Sequence, residues 1–281
     1  MKLVECPRDA MQGLHDFIPT NVKAEYINKL LKVGFDTIDF GSFVSHKAIP
    51  QLRDTAEVLE KLDLTSTRSS LLAIVANIRG GQDAVLYDQI RYLGFPFSVS
   101  ETFQKRNTNS NISESLATVD ELLNLCNKYN KLAVIYLSMG FGNPYGDPWS
   151  NDIVEKLTDE LVSRGVKILS LSDTIGVSSP DKINYLFPKL AERFPEIEFG
   201  VHLHSTPQTW EEKVDAAYNS GCRRFDSALK GFGGCPMAAD ALTGNIATEN
   251  VISYLQSRDE QLDLDMEAWQ DALSFSERVF H

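Results

Sequence analysis

The chain is poor in cysteine: four residues in 281, at positions 6, 126, 222 and 235, with no CxxC pair among them. Thiols so far apart exclude the disulfide framework of a small secreted domain and give no paired motif for a structural zinc ion. Positive charge is also short. Lys plus Arg number 27 against 39 Asp plus Glu, a formal net charge of -12. That balance argues against broad nucleic-acid binding, yet leaves room for an anionic small ligand at a local basic cluster. No apolar run approaches the roughly 18 residues of a membrane span. Low-complexity tracts are missing too. The opening Met1-Lys2-Leu3-Val4-Glu5 has none of the apolar h-region of a signal peptide, so the expected compartment is the cytoplasm.

What is present is ordinary globular composition, 43% hydrophobic and 23% charged, which excludes a disordered or fibrous chain. Residues 1–281 are expected to form a single domain. Eight short runs rich in Val, Ile, Leu and Phe alternate with helical patterns. They predict strands at 2–5, 37–40, 71–75, 97–100, 132–137, 166–171, 198–204 and 223–228. Near-continuous apolar runs suit strands covered by helices. Between them Val22, Tyr26, Ile27, Leu30 and Leu31 make one helical face, and Leu116, Val119, Leu122, Leu123 and Cys126 another. Gly34, Gly94, Gly165 and Gly221 each precede a strand and are read as helix stops. Ser179-Pro180 supplies a cap residue and a helix-first proline. Eight βα units of even spacing predict a (β/α)8 TIM barrel. A doubly wound sheet is the runner-up, but no GxGxxG follows the first strand. A last pattern over 265–279 predicts an additional C-terminal helix, beside the barrel or against a partner.

In such a barrel the chemistry collects where strands end. After strand one come Arg8, suited to an oxyanion, and Asp9, suited to a hard metal; together they also suit a plain surface pair. Strand seven ends in His202-Leu203-His204, whose imidazoles share a face because strand side chains alternate. Asp173 ends strand six, as proton carrier or local cap. Asp39 ends strand two, to assist proton transfer or to anchor Arg8. Lys105-Arg106-Asn107 is read as a basic patch in a polar loop, and residues 140–146 as a long loop suited to a ligand wall. Gly231-Phe232-Gly233-Gly234-Cys235-Pro236 displays a thiol on a glycine-rich loop. Asn245 offers a carbonyl oxygen or a helix cap. Asp9, His202, His204 and Asn245 would make a mixed oxygen and imidazole site for Mg2+ or Mn2+, with Zn2+ or Co2+ admitted by the histidines.

Pro7-Arg8-Asp9, Ser42-Phe43-Val44-Ser45, His202-Leu203-His204, the GxGGCP loop 231–236 and Gly244-Asn245-Ile246-Ala247-Thr248-Glu249 together resemble the 3-hydroxy-3-methylglutaryl-CoA lyase family. The resemblance spans nearly the whole chain, and GxGGCP is its specific part. It implies cleavage of 3-hydroxy-3-methylglutaryl-CoA to acetyl-CoA and acetoacetate with a divalent metal on Asp9, His202, His204 and Asn245. It further implies Arg8 at the enolate oxygen, Asp173 as base with His202 participating, Cys235 as the acid at carbon, and Glu249 as support. The partner it implies is an acyl-CoA substrate and, in solution, a homodimer, with no nucleic acid and no membrane. The chain departs from the family at Ala10 for glycine, His15 for a lysine that receives CoA, and Asp39 for glutamate. It also departs at Gly142-Asn143-Pro144, where a cysteine often precedes the proline. A lyase for a related 3-hydroxyacyl-CoA, a metal-dependent aldolase or Claisen synthase, and a non-catalytic CoA- or metal-binding barrel are the alternatives.

Overall fold

The structure is a computed structural model that describes residues 1–234 and 243–280. Eight strands run β1 (Lys2–Glu5), β2 (Thr37–Ser42), β3 (Ser70–Ile74), β4 (Ile90–Ser98), β5 (Leu132–Ser138), β6 (Ile168–Asp173), β7 (Glu198–Ser205) and β8 (Arg224–Ser227). Each pairs in parallel with the next, and β1 pairs with β8, so the sheet closes as the expected barrel. A two-residue strand, β9 (Gly244–Asn245), runs antiparallel to the end of β7 and sets Asn245 opposite His204.

Alternation divides the strands between two cores. Leu72, Val134, Tyr136 and Ile168 fill the barrel, while a larger cluster including Leu71, Phe95, Ile135 and Leu169 lies between sheet and helices. Helix ends follow their local chemistry. Ser179 Oγ accepts from Lys182 N at the start of Pro180–Arg193, and Gly34 takes a left-handed φ of 83° after Thr20–Val33. The C-terminal helix Met266–Ser276 packs beside the barrel on Thr20–Val33. Phe275 stacks on Tyr26 there, and the Asp265 N–H donates to Val33 O at 2.9 Å. Among the described residues no helix is long and apolar enough to cross a membrane.

The largest departure from expectation is β4, which starts at Ile90 rather than 97. Gly94 is no helix stop; it pairs with Ile74 and Val134 inside the sheet. The barrel interior explains it. A Cβ at Gly94 would lie 2.5 Å from Ile74 Cδ1 and 3.0 Å from Tyr136 Cε2, so the absent side chain is what admits those two. Pro96, normally a strand breaker, masks the same strand in sequence. Lys105-Arg106-Asn107 is likewise helical, within Glu101–Thr108, because Ser100 caps that helix through Phe103 N.

Overpacking at this position has a direct readout. Gly94→Val is expected to cost roughly 1–3 kcal/mol. The urea midpoint should drop with no change in slope.

Candidate active site

The short helix Pro7–Gln12 follows β1 directly and carries Arg8 and Asp9 over the barrel mouth, both buried. Arg8 is held from two sides. Its Nε and Nη2 donate to Asp39 at 2.5 to 3.2 Å. Its Nη1 donates to Asp9 Oδ1 at 2.9 Å and Gln12 Oε1 at 2.8 Å. The second Nη2 hydrogen has no protein acceptor among the described residues. Asp39 therefore anchors Arg8, the second of its two expected roles. Burial first, and then the nearby Asp9 charge, push Asp39 up to about 6 despite the pull of Arg8. Burial would raise Asp9 too, but Arg8 and the two imidazoles bring it down to about 2.

Opposite Asp9, β7 points His202 and His204 inward. One ligand atom from each of Asp9, His202 and His204 lies within 4.8 Å of the others. His202 Nδ1 meets Asp226 Oδ2 at 3.3 Å and His204 Nδ1 meets Thr174 O at 3.0 Å. The other ring nitrogen of each is thereby left for the centre. Burial lowers His204 to about 4, helped by the His202 charge; burial also presses on His202, but Asp226 raises it overall.

Asn245 donates from Nδ2 to Asp9 Oδ2 at 2.6 Å and to Phe232 O at 2.9 Å. Its Oδ1, like His204 Nε2, is buried without a hydrogen-bond partner. Buried polar atoms in native proteins are nearly always satisfied. Two orphaned lone-pair donors beside an ionised carboxylate and a second imidazole are the complement of a cation, so the residues present fit a divalent metal. The oxygen donors suit Mg2+ or Mn2+, and the two imidazoles also admit Zn2+ or Co2+.

The glycine loop presses on this group. A Cβ at Gly233, whose φ is 101°, would lie 2.6 Å from Asn245 Nδ2 and 2.9 Å from Asp9 O. Glu249 accepts from Lys230 N at 3.0 Å and so fixes the loop's base. Cys235, the expected acid, lies outside the described residues. Above the centre opens a cavity of about 370 Å³ lined by Arg8, Asp9, His202 and His204 with Tyr136 and Arg106. Residues 140–146 do not line it; Tyr145 instead stacks on Phe103 and lies under Arg106. His15, His46 and Lys47 are exposed and outside the lining.

The structure does not bring Asp173 to the cavity. Its neighbours Ser172 and Thr174 line it, while Asp173 is buried on the far face. There its carboxylate accepts from Val177 N, Ser178 N, Ser178 Oγ and Lys213 Nζ at 2.5 to 3.0 Å. Sequence reasoning missed Gln12, Tyr136, Lys213 and Asp226. Asp226 was legible as a carboxylate within the strand expected at 223–228, on the same face as Arg224; Gln12 carried no signal.

Against known proteins, residues 3–275 match the HMGL-like family. The chain is 34% identical to a hydroxymethylglutaryl-CoA lyase of Bacillus subtilis, over 96% of this chain and 90% of that one. It is 32% identical to the cytoplasmic 3-hydroxy-3-methylglutaryl-CoA lyase of Rattus norvegicus, over 98% and 80%. The crystal structure of the Bacillus subtilis HMG-CoA lyase superposes with a TM-score of 0.91 at 33% identity, covering 99% of this chain and 93% of that one.

The titration of His204 sets a pH dependence for the metal-free protein. An unfolded imidazole gains its proton near 6.5, whereas folded His204 stays neutral down to about 4. The unfolded state then binds more protons, so this residue's contribution is lost as pH falls from about 6.5 to 4. Asp39 runs the other way over much of that window, since it binds its proton in the folded state at about 6. His202, raised, acts only above about 6.5, where its contribution is lost as pH rises. The signal is therefore a difference: the stability advantage of wild type over His204→Gln is expected to shrink on acidification through about 6.5 to 4, read by urea melts.

Proposed function

The chain belongs to the HMGL-like family, and from that premise we propose that it cleaves 3-hydroxy-3-methylglutaryl-CoA to acetyl-CoA and acetoacetate. The observation that carries the reading is the convergence of Asp9, His202 and His204 with orphaned His204 Nε2 and Asn245 Oδ1 at the floor of the cavity. Asp9, His202, His204 and Asn245 would hold the divalent metal. Bound there, such an ion lowers the pKa of the tertiary hydroxyl and fixes it for reaction.

The rest falls to the chain's own residues. His202, oriented by Asp226, keeps its remaining ring nitrogen turned to the site, and the hydroxyl proton passes to water in the open cavity. As the C3–O bond becomes a carbonyl, the C2–C3 bond breaks and its electron pair passes to C2 and the thioester oxygen. Arg8, clamped by Asp39 and Asp9, presents its unpaired Nη2 hydrogen to that oxygen. Cys235 returns a proton to C2, giving acetyl-CoA. Asp173 serves from behind, outside the cavity, and Glu249 steadies the loop that carries Cys235. We extend the proposal to a cytoplasmic homodimer, an assembly that gel filtration at varied concentration tests.

Metal-stripped protein is expected to cleave 3-hydroxy-3-methylglutaryl-CoA only after Mg2+ or Mn2+ is restored. Turnover should collapse in Cys235→Ala and His204→Ala, and Arg8→Met should lower kcat by about 10²–10³. Preference for another hydroxyacyl-CoA across a substrate panel would reassign the acyl group. Folded variants with undiminished turnover would overturn the roles.

A further inference from the structure

Lys213 lies on the helix Trp210–Asn219, behind β7, and is as buried as Asp173, each 1% exposed. A buried ammonium is costly unless its three protons are all bonded. Here each finds an acceptor: Asp173 Oδ2 at 2.9 Å, Gly176 O at 2.9 Å and His204 O at 2.8 Å. The last is the backbone of a candidate metal ligand. The first two belong to the turn that follows β6, and Asp173 gathers that turn further through Val177 and Ser178.

The same turn holds His204 by its ring. Thr174 O meets His204 Nδ1 at 3.0 Å, and Thr174 Oγ1 accepts from Met139 N at 2.8 Å. Lys213 thus fixes His204 twice: directly at its carbonyl, and through Asp173 and the turn at its imidazole. The Thr174 contact decides which nitrogen faces the centre, leaving Nε2 buried and unpartnered.

We propose that Lys213, paired with Asp173, is a positioning residue for the metal centre. It sets the place and orientation of His204 Nε2 without touching substrate. The inference rests on the metal reading given under Proposed function. It differs from a purely structural ion pair in what repair can restore. A buried pair replaced by apolar side chains of similar volume often regains stability, but nothing apolar restores the hold on the turn and on His204 O.

The test is Mn2+ binding to metal-stripped protein by titration calorimetry, with urea melts of the metal-free state. Wild type, His204→Ala, Lys213→Met and the double variant Lys213→Met/Asp173→Leu are compared. Wild type should bind Mn2+, and His204→Ala should lose it. Lys213→Met should bind about 10–100-fold more weakly, the usual effect of removing a group behind a metal ligand. The double variant should melt closer to wild type while binding stays weak; it carries the test if Lys213→Met does not fold. Wild-type affinity in Lys213→Met, or affinity returning with stability in the double variant, overturns the positioning role alone. Absence of His204-dependent Mn2+ binding in wild type overturns the metal reading and this role with it.

Discussion

The site exists because β1 pairs with β8. Lys2, Leu3, Val4 and Glu5 stand opposite Arg224, Phe225, Asp226 and Ser227 in an unbroken parallel register. That seam joins opposite ends of the chain, and closing so long a loop carries an entropic cost that local contacts cannot meet. The seam is reinforced where it is most needed. Buried Glu5 accepts from Leu229 N at 2.9 Å and Thr248 Oγ1 at 2.5 Å, lacing the start of the chain to the segments after β8. Only with the seam closed does the helix that follows β1 deliver Asp9 to Asn245, 236 residues away in sequence.

Once closed, the barrel mouth holds more carboxylate than it can neutralise. Asp9 and Asp39 share one guanidinium, and both are buried. Asp9 is drawn down and Asp39 pushed up, so the two acids divide unequally the one positive charge between them. The imbalance has a direction. The carboxylate kept ionised is the one beside the imidazoles, in the group whose donors fit a divalent cation; the other spends its contact on fixing Arg8. A guanidinium clamped by two acids and an amide reorganises little when charge develops nearby, which is the condition for strong electrostatic stabilisation. An acidic chain can in this way offer a local, oriented positive group to an anionic ligand.

Much of this was legible beforehand. Apolar runs and helical faces were enough for eight βα units, and the HxH at the end of strand seven with Arg8-Asp9 after strand one named three of the converging groups. Asn245 was read as a fourth ligand from the segment after strand eight, and the family resemblance gave Cys235, outside the described residues, its expected role. What stayed hidden has two physical sources. Gly94 and Pro96 read as punctuation because local propensity knows nothing of Tyr136 and Ile74 across the barrel. Gln12, Tyr136 and Lys213 are common residue types whose meaning comes from a partner far away in sequence. Lys213, for instance, looks like any helix-surface lysine until its helix folds against the turn after β6.

Asp173 shows why a reactive residue at a strand end is an ambiguous signal. Position along β6 was read well, but face was not, and faces alternate with every residue. Ser172 and Thr174 line the cavity; the carboxylate between them turns outward and is consumed by four donors. A base must have a lone pair free for the proton it takes, and this one is committed to holding its own turn. Yet the turn it holds presents Thr174 O to His204. Under the positioning role proposed for Lys213 and Asp173, that carboxylate acts from behind the wall, by orienting the His204 ring instead of by moving a proton.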